Sequence, residues 1–221
     1  MEKNIAYTKD ELKNKFNKMY ENNSSPWIFN MEEGIYLKKK KILENYINKS
    51  KTIIDLGCAE GNFLNSLVKD KKNKYIIGVD IAKNAIKLAA DKKLYNELFV
   101  GYIDDINMYK KNIKNIDLVL LNEVLYYVDD YLKTLSTILT LNSKYIFISL
   151  AIGRGFFTAT EMTLIENICQ KNGYSLIAKN IVPMGYKWGV ELKYWYYIYK
   201  LFGKNLKQTH KTLYIFKKIK L

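Results

Sequence analysis

The stretch Thr52-Ile-Ile-Asp-Leu-Gly-Cys-Ala-Glu-Gly-Asn-Phe63 decides the fold. Apolar and β-branched residues lead into an acid, Asp55; two glycines then flank a sharp turn, and a helical pattern follows. A strand–turn–helix of this kind can hold a nucleoside-type ligand over the C-terminal end of the strand. Gly57 permits positive φ at the turn, and Gly61 lets another backbone or a ligand come close. The free N–H groups of the new helix can meet an anionic group.

Working outward, Lys74-Tyr-Ile-Ile-Gly-Val-Asp80 is a second apolar strand ending in an acid. Asp80 lies 23 residues after Gly57, where a carboxylate accepts hydrogen bonds from both ribose hydroxyls. Its plainer role is a helix N-cap before Ile81-Ala-Lys-Asn-Ala-Ile, and the two roles are compatible. The dinucleotide fingerprint G-x-G-x-x-G is not met, because position 59 is alanine, which disfavours a nicotinamide cofactor. Asn115-Ile-Asp-Leu-Val-Leu-Leu-Asn-Glu-Val-Leu-Tyr-Tyr-Val128 adds a buried strand, an Asn-Glu dipeptide and an apolar turn.

Hydrophobic periodicity predicts helices over 8–22 and 33–48. An alternation follows: strand 51–56, helix 61–69, strand 75–79, helix 82–91, strand 97–101, strand 116–122, helix 129–140 and strand 144–150. A helix near 159–171 and strands at 174–182 and 211–219 complete it. Such alternation gives right-handed crossovers and a mostly parallel sheet with helices on both faces. The expected fold is therefore α/β, one domain over 1–221. It divides into a helical cap (1–49), a cofactor-binding core (50–182), an aromatic insertion (183–210) and a last strand (211–221).

The order and spacing of Asp55-Leu-Gly-Cys-Ala-Glu-Gly61, Gly78-Val-Asp80 and the Asn122-Glu123 segment resemble the class I S-adenosylmethionine-dependent methyltransferases, over roughly residues 50 to 150. Ser25-Pro-Trp27 and Tyr36-x-x-Lys-Lys-Lys resemble the nodulation N-methyltransferase-like subgroup, which methylates glycans. The resemblance implies a Rossmann-like seven-stranded sheet with an antiparallel last strand, S-adenosyl-L-methionine as cofactor (S-adenosyl-L-homocysteine as product) and no metal. It implies that Gly57, Cys58 and Gly61 line the methionine part and that Asp55 helps hold its amino group. Asp80 would take the ribose, Ile81 would pack on the adenine, and Asn122 would offer its carbonyl near the ammonium. Family members often carry an acid after the third strand for the adenine amino group. Tyr102 stands there in this chain, so Asp104, with the Ile103 backbone, is the expected substitute.

Methyl transfer from a sulfonium is an in-line displacement, so alignment and desolvation supply much of the acceleration. A base is needed only for an acceptor that enters protonated. Glu123 follows the fourth strand, and a buried carboxylate there would have a raised pKa suited to proton removal; otherwise it is a helix-terminus or lysine-paired acid. Tyr126 and Tyr127 orient an acceptor or pack in the core. His210, the only histidine, is a base or a structural residue at a strand start. Tyr20, Trp27, Arg154 and Trp188 are the acceptor-binding candidates. Cap packing is the alternative for Tyr20 and Trp27, solvent exposure for Arg154. Trp188 begins the most individual segment, Tyr186–Gly203, where Leu192, Trp195, Ile198, Tyr199 and Phe202 share a helical face. That segment reads as a helix docked on the core, an aromatic acceptor lid, or a membrane-surface element edged by Lys193, Lys200 and Lys204.

Composition bounds the rest. The 221 residues are 48% apolar and 14% aromatic, enough for a full core. Two cysteines and a start without an apolar h-region predict no disulfide framework, no secretory signal and a cytoplasmic protein. No membrane span is expected, though peripheral membrane contact is compatible with the charge. Thirty-six basic residues against 22 acidic ones give a net charge of +14, which suits an acidic partner. Only one of the 36 is arginine, so a bias toward lysine explains the charge better than nucleic-acid reading. The run Lys38–Lys41 reads as a solvated helix face. The acceptor expected is small or glycan-like, phosphorylated or nucleotide-linked, in bacterial surface polysaccharide synthesis. RNA or protein methylation is the alternative, although no Asn/Asp-Pro-Pro-Tyr motif follows the fourth strand. A non-catalytic partner protein with this fold is the alternative of another class.

Overall fold

The computed structural model describes residues 8–26, 34–110, 113–152, 157–183 and 210–219. Two helices come first, α1 (Lys9–Asn22) and α2 (Gly34–Lys49). The sheet then builds through β1 (Thr52–Leu56), α3 (Asn62–Leu67), β2 (Tyr75–Asp80), α4 (Lys83–Asp91) and β3 (Glu97–Val100). The short α5 (Ile106–Tyr109), β4 (Leu118–Asn122), a 3-10 turn (Leu125–Tyr127), α6 (Tyr131–Leu139) and β5 (Tyr145–Ile152) follow. α7 (Ala159–Lys171), β6 (Tyr174–Pro183) and β7 (His210–Lys218) end it.

Seven strands form one sheet in the order β3-β2-β1-β4-β5-β7-β6. β1 pairs in parallel with β2 on one side and β4 on the other, which makes their boundary the topological switch point. β7 is inserted antiparallel to both β5 and β6. The expected sheet, with its antiparallel last strand, is therefore the one observed. Both faces of the parallel strands are covered, so these strands are near-continuous apolar runs rather than alternating ones. On one face Leu43 and Ile47 of α2 and Leu64 and Leu67 of α3 pack on Ile53, Leu118, Leu120, Leu213 and Ile215. On the other, Leu135 and Ile138 of α6 and Met162 and Ile165 of α7 pack on Ile54, Leu56, Val119, Leu121 and Ile148.

Some boundaries differ from expectation, for local reasons. α3 runs only Asn62–Leu67 instead of 61–69, because Gly61 is left-handed and Val68 turns extended. α5 and the 3-10 turn are too short to show any period in the sequence. The Lys38–Lys41 run is not wholly solvated: Lys39 is buried, at 5% exposure. It lies on the same face as Leu43 and Ile47, at i, i+4 and i+8, so the helical period carries it inward. Most of the expected aromatic insertion, including the 186–203 segment with Trp188, lies outside the described residues, as do Trp27 and Arg154. Among the described residues no helix is long and apolar enough to cross a membrane.

Candidate active site

The turn after β1 is built by hydrogen bonds to its neighbour. Gly57 and Cys58 both donate to the Val79 carbonyl, at 2.8 and 3.0 Å. Gly57 has φ 74°, and a Cβ there would sit 2.6 Å from Val124 Cγ2. Gly61 also has positive φ, 79°; the group close against it is the Tyr95 ring, 2.8 Å from where a Cβ would lie. Both glycines are thus required by backbone conformation and by a tight neighbour.

The strand ends and this turn open onto one cavity of about 410 Å³. Asp55, Gly57, Cys58, Asp80, Ile81, Ile103, Asp104 and Asn122 all line it, so eight of the nine expected cofactor residues come together. Gly61 stands just behind, as the N-cap of α3. Asp80 is not the N-cap of α4, which is Ala82. Instead its two oxygens accept from Ala59 N (2.9 Å) and Ala82 N (2.8 Å) and so tie the turn to the start of α4. Burial pushes Asp80 up to about 6, against those bonds and with help from nearby Glu60. Burial likewise pushes Asp55 up to about 7; the Tyr95 hydroxyl, donating at 2.8 Å, opposes this and Asp80 adds to it. Burial raises the Cys58 thiol as well, so it is no thiolate nucleophile. Tyr102, Ile103 and Asp104 form the far end, where Lys9 of α1 stands 3.9 Å from Asp104 and 4.4 Å from the Tyr102 ring centre.

Glu60 was not singled out from the sequence. It is buried and accepts from the Tyr20 hydroxyl (2.9 Å), Ser25 Oγ (3.1 Å) and Asn62 Nδ2 (2.9 Å). The acid inside the glycine turn therefore anchors the N-terminal cap over the cavity. Tyr20 itself packs on Ala82 and Ala85 and lines the cavity.

The other end of the cavity holds a buried ionic group. Lys39 Nζ donates to Glu123 Oε1 and Asn122 Oδ1, both at 2.7 Å. Lys211 Nζ lies 3.2 Å from Glu123 Oε1. Ser149 Oγ donates to the same oxygen at 2.6 Å, and the Tyr126 hydroxyl to Oε2 at 2.9 Å. This corrects the expectation that burial would raise Glu123. Burial does act in that direction, but Lys39, Lys211 and Ser149 outweigh it and hold the carboxyl at about 2. Burial lowers Lys39 to about 8, with Lys211 acting the same way and Glu123 against both. Glu123 also has φ 62°, a left-handed value that a non-glycine residue keeps only where its surroundings insist.

Tyr126 and Tyr127 line the cavity and pack edge to face, with ring centres 4.6 Å apart. Burial pushes Tyr127 up to about 12 and Tyr126 well above the phenol range, with Glu123 adding to both. Neither is a proton acceptor at neutral pH. His210 pairs through its backbone with Ile152 and Pro183 at the start of β7, next to Lys211. Lys39 reads in the sequence as part of a solvated face, and Lys211 was not singled out, yet for Lys211 a signal existed. Lys211, Leu213 and Ile215 alternate onto one strand face, whose apolar members are fully inside.

A profile of the family described as "Methyltransferase domain" matches residues 47–213. The tRNA (guanine-N(7)-)-methyltransferase of Ruminiclostridium cellulolyticum is 34% identical over 76 residues, 34% of this chain and 32% of that one. The carboxy-S-adenosyl-L-methionine synthase of Campylobacter hominis is 26% identical over 141 residues, 61% of this chain and 60% of that one. The chain thus spans less than two thirds of either curated relative. Among solved structures, the N-methyltransferase NodS from Bradyrhizobium japonicum, in complex with S-adenosyl-L-homocysteine, superposes with a TM-score of 0.61. That match covers 93% of this chain and 99% of NodS at 14% identity, a likeness of fold.

Proposed function

The chain belongs to the class I S-adenosylmethionine-dependent methyltransferases, and from that premise we propose that it transfers a methyl group from S-adenosyl-L-methionine to nitrogen of a small or glycan-like acceptor. The observation that carries this reading is the pair of buried carboxylates, Asp55 and Asp80, at the ends of adjacent strands beside the glycine turn, both facing one cavity. Asp80 accepts from the ribose hydroxyls. Asp55, oriented by Tyr95, and the Asn122 carbonyl receive the methionine ammonium, while Ile81 and Ile103 flank the adenine. When bound, the cofactor supplies a methyl group already activated by its sulfonium.

The protein's share is then alignment and exclusion of water. Glu123 is a poor base, because it is held ionised at about 2 with donors on both oxygens. An amine that enters as the free base needs no base, whereas a hydroxyl does, which favours nitrogen as the acceptor atom. Tyr36, Phe63, Tyr126 and Tyr127 give this cavity aromatic walls suited to a sugar ring. A saccharide precursor of a bacterial surface polysaccharide fits these walls and the resemblance to the nodulation subgroup.

The test begins with thermal unfolding in saturating S-adenosyl-L-homocysteine, beside NAD. A ligand at 100 times its Kd adds about 2.7 kcal/mol, a rise of roughly 5 to 11 °C for a domain of this size. Labelled S-adenosylmethionine is then offered with amino-sugar nucleotides and with RNA. A shift with NAD alone overturns the reading, and label entering only RNA overturns the acceptor.

A further inference from the structure

The ionic group at the β4–β7 end of the cavity carries more positive charge than it neutralises. Lys39 and Lys211 supply two ammonium groups against one carboxylate, Glu123. The side chains of both lysines are nearly inside, at 6% and 8% exposure. Glu123 accepts hydrogen bonds from three groups and is ion-paired to Lys211, so it has little capacity left. Lys39 spends two of its three N–H donors on Asn122 and Glu123. Lys211 meets Glu123 alone among the described residues. A surplus buried cation with donors to spare is costly unless a ligand completes it. The relief that burial gives by lowering Lys39 to about 8 still leaves that ammonium mostly charged at neutral pH.

Position says which ligand. Asp80 and Asp55 end β2 and β1, whereas Lys211 stands on β7, two strands beyond β4 in the sheet order. At ~4.8 Å per strand, the Lys211 backbone lies roughly 14 Å from β1 and 19 Å from β2 along the sheet, and its ammonium reaches back to Glu123, just past β4. The ionic group therefore lies on the β4–β7 side of the cavity, away from Asp80, and meets the methionine end only through the bond from Lys39 to Asn122. We propose that Lys39 and Lys211 form an oxyanion subsite for the acceptor, so that the molecule methylated carries a carboxylate or phosphate beside its methylated atom. This deepens the methyltransferase reading and rests on it for the word acceptor. The anion subsite itself is a separate physical claim.

The experiment titrates the protein saturated with S-adenosyl-L-homocysteine with inorganic phosphate and, separately, acetate, at constant ionic strength in chloride. Thermal unfolding and the 15N signals of the lysine ammonium groups are both followed. The expected result is a saturable stabilisation, with at least one slowly exchanging ammonium signal moving along the same curve. Whichever anion saturates at lower concentration names the group. In Lys211→Gln the midpoint is expected to rise at least about tenfold, while Lys211→Arg keeps the response. A linear response without saturation, or one unchanged in Lys211→Gln, overturns the subsite. Should Lys211→Gln fail to fold, the ammonium signals of the unaltered protein decide alone, and signals that stay still overturn it. The methionine carboxylate is the competing anion. If Lys211→Gln weakens S-adenosyl-L-homocysteine but not 5′-methylthioadenosine, which lacks that carboxylate, the lysines serve the cofactor and the proposal falls. Failure of the unaltered protein to bind S-adenosyl-L-homocysteine sinks the methyltransferase reading instead. The same titrations of the ligand-free protein then judge the subsite by the same criteria.

Discussion

Glu123 joins three pressures at one residue: a left-handed backbone, a nearly enclosed carboxylate, and three hydrogen-bond donors plus the Lys211 ion pair on its two oxygens. Left-handed strain in a non-glycine residue costs about 1–3 kcal/mol and persists only where surrounding bonds over-determine it. Here the Glu123 N–H to Ser149 carbonyl bond (3.0 Å) and the two lysines do so. Glu123→Gln keeps the shape and removes the charge, leaving both ammoniums without a counter-ion. Losing one partner of a buried ionic group costs about 3–5 kcal/mol. The low end applies, because the amide oxygen still accepts, so Tm should fall by roughly 6 °C or more. If Glu123 were instead a general base, the variant would fold normally and lose only turnover; a Tm within a degree of the parent's rules out the structural account. Gly57→Ala is the companion test. It demands φ 74° of alanine and puts a Cβ 2.6 Å from Val124, at a cost of about 1–3 kcal/mol for the backbone alone. Calorimetry should show S-adenosyl-L-homocysteine binding weakened with stability, because the turn that strains is the turn that binds. Full affinity in a folded Gly57→Ala would remove the turn from the site.

At the scale of elements, the parallel core was legible because its strands are buried on both faces. Ile53, Ile54 and Leu56 of β1, and Leu118 to Leu121 of β4, are apolar runs with no solvent face to interrupt them. The acids at the strand ends stood out against those runs, which is why Asp55 and Asp80 were singled out, whereas Asn122 was singled out through the resemblance of the segment around it. Tyr95 and Glu60 were not. Each works through a contact distant in sequence, Tyr95 to Asp55 across 40 residues and Glu60 to Tyr20 across another 40, and a linear reading holds no trace of such pairs. Lys39 was misread because its three lysine neighbours made a solvated face the simpler account. Among the elements, α1 is the one whose stability bears most on binding. It is held over the cavity by Tyr20 and by Phe16, whose ring meets Tyr127 at 5.1 Å. It begins with a capping box in which Thr8 and Glu11 bond reciprocally. Thr8→Ala removes that cap, and a lost N-cap is worth about a fivefold shift in a helix equilibrium. The expected outcome is faster amide exchange in α1 and a few-fold loss of S-adenosyl-L-homocysteine affinity, with the global Tm nearly unchanged. Equal protection of α1 in the variant would mean that packing, not the cap, holds it.

Across the whole molecule, the buried charges couple the cavity to pH with opposite signs. Asp55 and Asp80 have folded values of about 7 and 6, above the ordinary carboxyl value of 3.8, chiefly because they are buried. Between pH 4 and 7 the folded chain therefore holds more protons than the unfolded one. The stability these two contribute is present at low pH and is lost as pH rises through 6 to 7. Glu123 runs the other way: its contribution is present above its ordinary 4.5 and lost as pH falls toward 2. Lys39, lowered to about 8, favours the folded chain increasingly between pH 8 and its ordinary 10.5. A ligand whose hydroxyls and ammonium donate to Asp80 and Asp55 prefers both carboxylates ionised, so it must displace the protons that burial retains. S-adenosyl-L-homocysteine affinity should therefore climb from pH 5 to pH 7.5, by up to tenfold per pH unit for each acid still protonated, and level off above. Binding near pH 6 should release protons, which calorimetry in buffers of different ionisation enthalpy detects directly. In Asp80→Asn the lower step should vanish and affinity fall by roughly 10- to 100-fold, the worth of hydrogen bonds to a charged group. A Kd constant from pH 5 to 7.5, or proton uptake on binding, would mean that the ligand does not engage these carboxylates.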